Sequence, residues 1–183
     1  MNGAHALLET LMESGIEVCF SNPGTSEMHL VTAIGKTDNV RSILCLFEGV
    51  VSGAADGYAR LSGKPAITLL HLGPGYANSM ANLHNARRAR SAIVNIVGDH
   101  AVWHHQHDAP LTSDVEAHVK IHSHWYKFTD SAEDLSMAGA EAVSAALSGA
   151  GRIATLVVPA NHAWEPATKS YDRIKPDSLS QVT

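Results

Sequence analysis

Residues 43–60 decide the fold: Ile43-Leu44-Cys45-Leu46-Phe47-Glu48-Gly49-Val50-Val51-Ser52-Gly53-Ala54-Ala55-Asp56-Gly57-Tyr58-Ala59-Arg60. The stretch opens with five apolar residues in unbroken succession. A strand buried on both faces is predicted over 42–47. From Gly49 to Leu61 small residues take over at helical spacing, and Ser62-Gly63 ends that helix. One acidic residue, Glu48, stands where strand gives way to helix.

The same alternation continues on either side. Residues 4–14 place Leu7, Leu8, Leu11 and Met12 on one helical face, closed by Gly15. Residues 16–20 read as a short strand. The turn Ser21-Asn22-Pro23-Gly24 leads to Thr25 and Ser26 as candidate N-caps, and Glu27 favours the first turn of the next helix. Downstream, 66–70 is a strand, and Gly73-Pro74-Gly75 opens a helix running to about Arg90. Strands follow at 92–97, 125–128 and 153–158, with a helix over 132–147; residues 100–123 show no clear pattern. Apolar strands separated by helices predict an α/β fold, a parallel sheet of about six strands with helices on both faces. One domain is expected over 1–165. Residues 166–183 carry two prolines, several charges and no periodicity, and read as a linker or tail.

Composition narrows the function classes. The chain has 183 residues, 45% of them hydrophobic, enough to build a core. No apolar run reaches the length of a membrane span. Met1-Asn2-Gly3-Ala4-His5 lacks the layout of a signal peptide, so a cytoplasmic location is expected. The net charge is −5 with histidines neutral. The basic group Arg87-Arg88-Ala89-Arg90 closes a helical pattern, where cations suit the helix dipole, so it needs no nucleic acid to explain it. Cys19 and Cys45 lie within apolar runs and are expected as buried, reduced thiols.

Open parallel sheets bind ligands at the carboxyl ends of their strands. Four such ends can be read: Ser21 to Thr25, Glu48, His71 to Gly75, and Gly98-Asp99-His100. Each carries glycine, a polar group or an ionisable group in place of apolar filler. On position alone, Glu48 is most simply a helix-start carboxylate facing the dipole. In apolar company such a carboxylate also shares a proton more readily. Gly73-Pro74-Gly75 serves equally as a strand-to-helix turn or as backbone open to a ligand. Neither phosphate-loop signature, GxxxxGK[ST] or GxGxxG, is present.

Taken together, three strings resemble the N-terminal, pyrimidine-binding domain of thiamine-diphosphate enzymes of the acetolactate synthase, benzoylformate decarboxylase and pyruvate decarboxylase group. They are Phe20-Ser21-Asn22-Pro23-Gly24-Thr25, Glu48 with Ala54-Ala55-Asp56-Gly57-Tyr58-Ala59-Arg60, and Gly73-Pro74-Gly75-Tyr76-Ala77-Asn78. The resemblance covers residues 1 to about 165, with Pro159 after the last strand. It implies that Glu48 hydrogen-bonds N1′ of the aminopyrimidine and, by sharing a proton there, activates the thiazolium carbon that attacks a 2-oxo acid. It implies that Asn22, Pro23 and Gly24 line the cofactor, and that Gly73, Pro74, Gly75 and Asn78 lie beside the pyrimidine. His71 and Thr25 resemble the substrate-facing histidine and serine of benzoylformate decarboxylase and would relay protons. The alternative for His71 is a hydrogen bond to the strand end.

The resemblance also marks what this sequence lacks. The family holds diphosphate and Mg2+ with a GDG motif and a downstream asparagine in a separate domain; Gly98-Asp99-His100 is not that motif. A diphosphate-binding domain, from another subunit or from a longer chain, is therefore expected as partner in a homodimer or tetramer. The outcome is a 2-oxo acid decarboxylase or carboligase. The alternatives are the small subunit of a two-chain decarboxylase and a non-catalytic module of the same fold. His104-His105 resembles the paired histidines of pyruvate decarboxylase, with flanking spacing that does not match. Seven histidines lie between His100 and His124. A metal site is the alternative, but His118, His122 and His124 fit no recognised ligand pattern, and a mobile or solvated histidine-rich loop is expected.

Overall fold

A computed structural model of the chain describes residues 1–168 and 174. The strands are β1 (Val18–Asn22), β2 (Arg41–Leu44), β3 (Ala66–Leu70), β4 (Ile93–Asp99), β5 (Trp125–Phe128) and β6 (Ile153–Pro159). The helices are α1 (Gly3–Glu13), α2 (Met28–Ile34), α3 (Glu48–Ser62), α4 (Leu72–Ala89), α5 (Val115–His122), α6 (Asp134–Leu147) and α7 (Ala160–Trp164). The strands form one six-stranded sheet in the order β2-β1-β3-β4-β6-β5, and every pairing is parallel.

Period-two alternation sorts the strand residues between two helical layers. Ile67 and Leu69 pack with α1, α2 and α6; Ala66 and Leu70 pack with α3, α4 and α5. Each fully buried leucine or isoleucine contributes about 1.5–3 kcal/mol. A polar seam crosses the middle strands. Thr68 donates to Asn95 (2.8 Å), Asn95 donates to Thr155 (3.1 Å), Ser123 bonds Thr155 (2.6 Å), and Tyr76 bonds Ser123 (3.2 Å). All five residues are buried. A satisfied network of this kind penalises any slip in register, because a slip would strand buried polar groups.

The structure departs from the sequence expectation at three places. The strand expected over 42–47 ends at Leu44 and is an edge strand rather than a buried one. Leu44 and Phe47 are exposed, and Leu46 is 90% exposed. An unbroken apolar run signals two covered faces, yet β2 has only β1 beside it. The unassigned region 100–123 holds an exposed 3-10 turn (Val102–His107) and then α5, which Asp114 caps by accepting from Ala117 N–H (2.9 Å). Thr25 and Ser26 do not cap a helix; Gly24 begins a 3-10 turn over Thr25–Glu27.

Among the described residues, no helix is long and apolar enough to cross a membrane, and no three His, Cys, Asp or Glu side chains gather as a metal site. Pro166 bridges to Asn2, and Ala167 N–H donates to Met1 O (3.1 Å). Beyond Thr168, Ile174 apart, the segment expected as linker or tail lies outside the described residues.

Cys19 and Cys45 are free and buried, as expected. Burial pushes the Cys19 thiol up to about 12 and raises Cys45 as well. Neither should react with a disulfide reagent in the native protein near neutral pH, and both should react in concentrated urea. Rapid labelling of Cys19 under native conditions would contradict its burial.

Candidate active site

Parallel pairing brings the carboxyl ends of β1, β3 and β4 to one edge of the sheet, beside the start of α3. Glu48 is the first residue of α3 and is half-buried. Its backbone is fixed from α4. Ser79 Oγ donates to Glu48 O (3.2 Å), and Asn82 Nδ2 donates to Gly49 O (2.6 Å). Ser52 Oγ donates to Glu48 O (3.1 Å) and Ser79 O (3.2 Å). The side chain is fixed as well: Glu48 Oε2 accepts from Asn78 Nδ2 (3.0 Å). Glu48 Oε1 lies 3.2 Å from the point that a Cβ on Gly75 would occupy, and that point is 3.5 Å from His71 Cβ. Glu48 and His71 therefore flank Gly75.

The apolar company expected around Glu48 does not come from this chain. Its neighbours Phe47 and Val50 are exposed, as are Leu44 and Leu46. All four lie within four residues of Glu48 in the chain.

His71 follows β3 and occupies the N-cap position of α4. Its ring makes no cap for that helix, because Nδ1 is committed to Glu27 Oε2 at 2.8 Å. Glu27 Oε2 also accepts from Gly24 N–H (2.7 Å). Between His71 and Gly73, Leu72 has φ 53, a left-handed conformation. For a non-glycine residue this costs about 1–2 kcal/mol. The strain sits at the junction of β3 and α4, beside His71.

The glycines divide the work. A Cβ on Gly24 would overlap the His71 ring, and one on Gly73 would overlap Ser113 Oγ, so Gly73 is packed by this chain's own residues. Gly75 instead faces Glu48. Asn22 and Pro23 are half-buried at the end of β1, while Thr25, Pro74 and Asn78 are exposed on the same edge.

Sequence reasoning missed Glu27 as a site residue. It read Glu27 as a carboxylate favouring a helix start, whereas the side chain turns inward and is fully buried. The local signal, a glycine three residues before a glutamate, was present; the partner His71 is 44 residues away. Burial pushes the Glu27 carboxyl above its ordinary value, opposed by the Gly24 N–H and by His71. Asp99 is likewise raised by burial, opposed chiefly by the His100 N–H, and it pairs with His105 at 3.3 Å. Burial lowers His100.

A hollow of about 180 Å³ on this edge is lined by Asp99, His105, Ser113 and Asp114 among others. A hollow of about 580 Å³ lies at the opposite, amino edge of the sheet, lined by Arg87, Arg88, Arg90 and Arg152 among others. None of the residues above borders it.

The family model for the thiamine pyrophosphate enzyme N-terminal TPP binding domain matches residues 1–119. IlvX of Mycobacterium tuberculosis, which its name assigns provisionally to the acetolactate synthase large subunits, is 55% identical over 164 residues, 90% of this chain and 32% of IlvX. Benzoylformate decarboxylase of Pseudomonas aeruginosa is 39% identical over 93 residues, 51% of this chain and 17% of that protein. The structure of the thiamine diphosphate-dependent 4-hydroxybenzoylformate decarboxylase of Rhodococcus jostii RHA1 superposes with a TM-score of 0.86 at 27% identity, covering 92% of this chain and 32% of that one. The chain thus spans about a third of the length of IlvX and of the Rhodococcus enzyme. The matched residues, the parallel sheet and the carboxylate at its edge lead to one conclusion: this chain belongs to the thiamine pyrophosphate enzyme family, as its N-terminal TPP binding domain.

Proposed function

We propose that this chain is the pyrimidine-binding half of a thiamine-diphosphate-dependent enzyme that decarboxylates or ligates 2-oxo acids, with Glu48 activating the cofactor. The observation carrying this reading is the Glu48 carboxylate. Asn78 fixes its Oε2, leaving Oε1 over the bare backbone of Gly75. A flat heterocycle needs such a glycine-lined approach, and its ring nitrogen needs a carboxyl group that can share a proton. The donor set therefore fits the group.

When bound, thiamine diphosphate supplies the thiazolium carbon that attacks a 2-oxo carbonyl. The chain's own residues do the rest. Glu48 holds a proton at Oε1 against the ring, and Asn78 keeps that carboxylate oriented. Asn22, Pro23 and Gly24 bound the cofactor on the β1 side, and Gly73, Pro74 and Gly75 on the α4 side. His71 exchanges a proton at Nε2 with the 2-oxo acid side, and the Thr25 hydroxyl faces the same substrate.

The diphosphate and Mg2+ belong to a diphosphate-binding domain of another subunit, or of a longer chain, in a homodimer or tetramer. The exposed apolar side chains of Leu44, Leu46, Phe47 and Val50 support that placement, since a covering domain would bury them and desolvate Glu48.

The test uses the intact protein carrying this chain, loaded with thiamine diphosphate and Mg2+ and offered a panel of 2-oxo acids including pyruvate and benzoylformate. Release of CO2, or formation of a carbon–carbon bond, is expected with at least one. No turnover with any of them would overturn the reading.

A further inference from the structure

Two glycines clear room for one buried acid. The turn after β1 swings Glu27 into the protein, where it is fully buried. There Oε2 receives Gly24 N–H and lies 2.8 Å from Nδ1 of His71. Among the described residues Oε1 has no hydrogen-bond partner and stands against Gly98, where a Cβ would overlap it. A Cβ on Gly24 would in turn overlap the imidazole. Any side chain at 24 or 98 would therefore break the pair apart.

An unpaired charge in such a place is costly, so a fully buried glutamate needs a partner. His71 is the partner, and its ring remains 24% exposed toward the site. Of the two groups the imidazole is the more basic in water, so the shared hydrogen resides on Nδ1. A hydrogen on Oε1 would be a buried donor with no acceptor.

We propose that Glu27 is a positioning residue: it accepts the Nδ1 hydrogen of His71 and so leaves Nε2 as the one ring nitrogen that exchanges a proton with the substrate. This rests on the reading of His71 as a substrate-facing residue. When Nε2 takes up a proton the ring becomes a cation, and the Glu27 carboxylate compensates it. When Nε2 delivers that proton to a substrate-derived anion, the ring returns to the neutral Nδ1–H form. Glu27 itself neither gains nor loses a proton in the exchange.

The test compares wild type, Glu27→Gln, Glu27→Ala and His71→Ala in the intact protein. Ring-nitrogen shifts of 15N-labelled histidine, read by magic-angle-spinning NMR and assigned to His71 by its loss in His71→Ala, report the tautomer without any cofactor. Wild type should show Nδ1–H, and Glu27→Ala should show a mixture with Nε2–H. Glu27→Gln fills the same space without the charge. Its kcat with benzoylformate or pyruvate, whichever the protein turns over, should fall about tenfold to a hundredfold. Its melting temperature near neutral pH should hold or rise. A purely structural role predicts the reverse, with activity following stability.

An Nε2–H tautomer in wild type, an unchanged tautomer in Glu27→Ala, or unchanged kcat in Glu27→Gln would each overturn the proposal. Should Glu27→Ala fail to fold, the wild-type tautomer and the Glu27→Gln kinetics still decide. If the tautomer is as proposed while His71→Ala turns over normally, it is the substrate-facing reading of His71 that fails. If His71→Ala collapses turnover while the Glu27 variants leave it untouched, only the positioning role fails.

Discussion

Replacing Glu48 with alanine in the intact protein is expected to lower kcat by about a hundredfold to ten-thousandfold, the range lost when a positioned acid–base group is removed. The loss should persist at saturating thiamine diphosphate, because the variant lacks the carboxyl group that shares a proton with the ring. Folding should survive. Ser79 and Asn82 hold the backbone at 48 and 49 whatever the side chain, and the Glu48 carboxylate accepts from the exposed Asn78. Glu48→Gln is the sharper variant, since it keeps the volume and an acceptor for Asn78 while removing the proton-sharing oxygen. Circular dichroism and a melting curve should match wild type in both. Full turnover by either variant at saturating cofactor would remove Glu48 from the mechanism.

The second large effect falls on stability. His71→Ala leaves the Glu27 carboxylate buried without its imidazole, with Gly24 N–H as its remaining partner. Breaking a buried pair by removing one member is expected to cost about 2–4 kcal/mol here, the upper values belonging to fully enclosed pairs. The sign with pH follows from the direction of the Glu27 shift. Its carboxyl is raised in the folded protein by burial, and removing His71 takes away an interaction that lowers it. The variant is therefore penalised least below the ordinary glutamate value of about 4.3, where the acid is protonated in both states. The penalty grows as pH rises through the folded value. Urea unfolding of wild type and His71→Ala at acid and neutral pH should show the gap opening toward neutrality. Adding Glu27→Gln to His71→Ala should close most of that gap by removing the stranded charge. A pH-independent loss that Glu27→Gln does not relieve would show that no charge was stranded. His100, which also interacts with His71, is the titrating neighbour to hold constant in reading the curves.

Legibility differed between fold and site for physical reasons. The strands at 66–70 and 153–158 read correctly because both faces are covered and all but one of their residues, Thr68 in the first and Thr155 in the second, are apolar. The helix expected over 49–61 spans Glu48–Ser62, and its end was legible because Gly63 adopts φ 68, a conformation that punctuates the sequence. The edge strand misled because only part of the apolar run reaches the core: Ile43 and Cys45 pack inward, while Leu44, Leu46 and Phe47 are exposed. The helix at 115–122 was missed because eight residues with two histidines give too short a period to stand out.

By itself the sequence determined the parallel α/β sheet and the strand ends at which glycine, histidine and glutamate collect, because local periodicity and turn chemistry act over a few residues. Only the tertiary structure decided which of those groups meet: that Asn78 steadies Glu48, that Gly75 separates Glu48 from His71, and that Glu27 turns inward to hold that histidine. Asn78 lies 30 residues from Glu48 in the chain, and His71 lies 44 from Glu27. Hydrogen bonds across such spans leave no local pattern; they exist because parallel pairing stacks the carboxyl ends of the strands side by side.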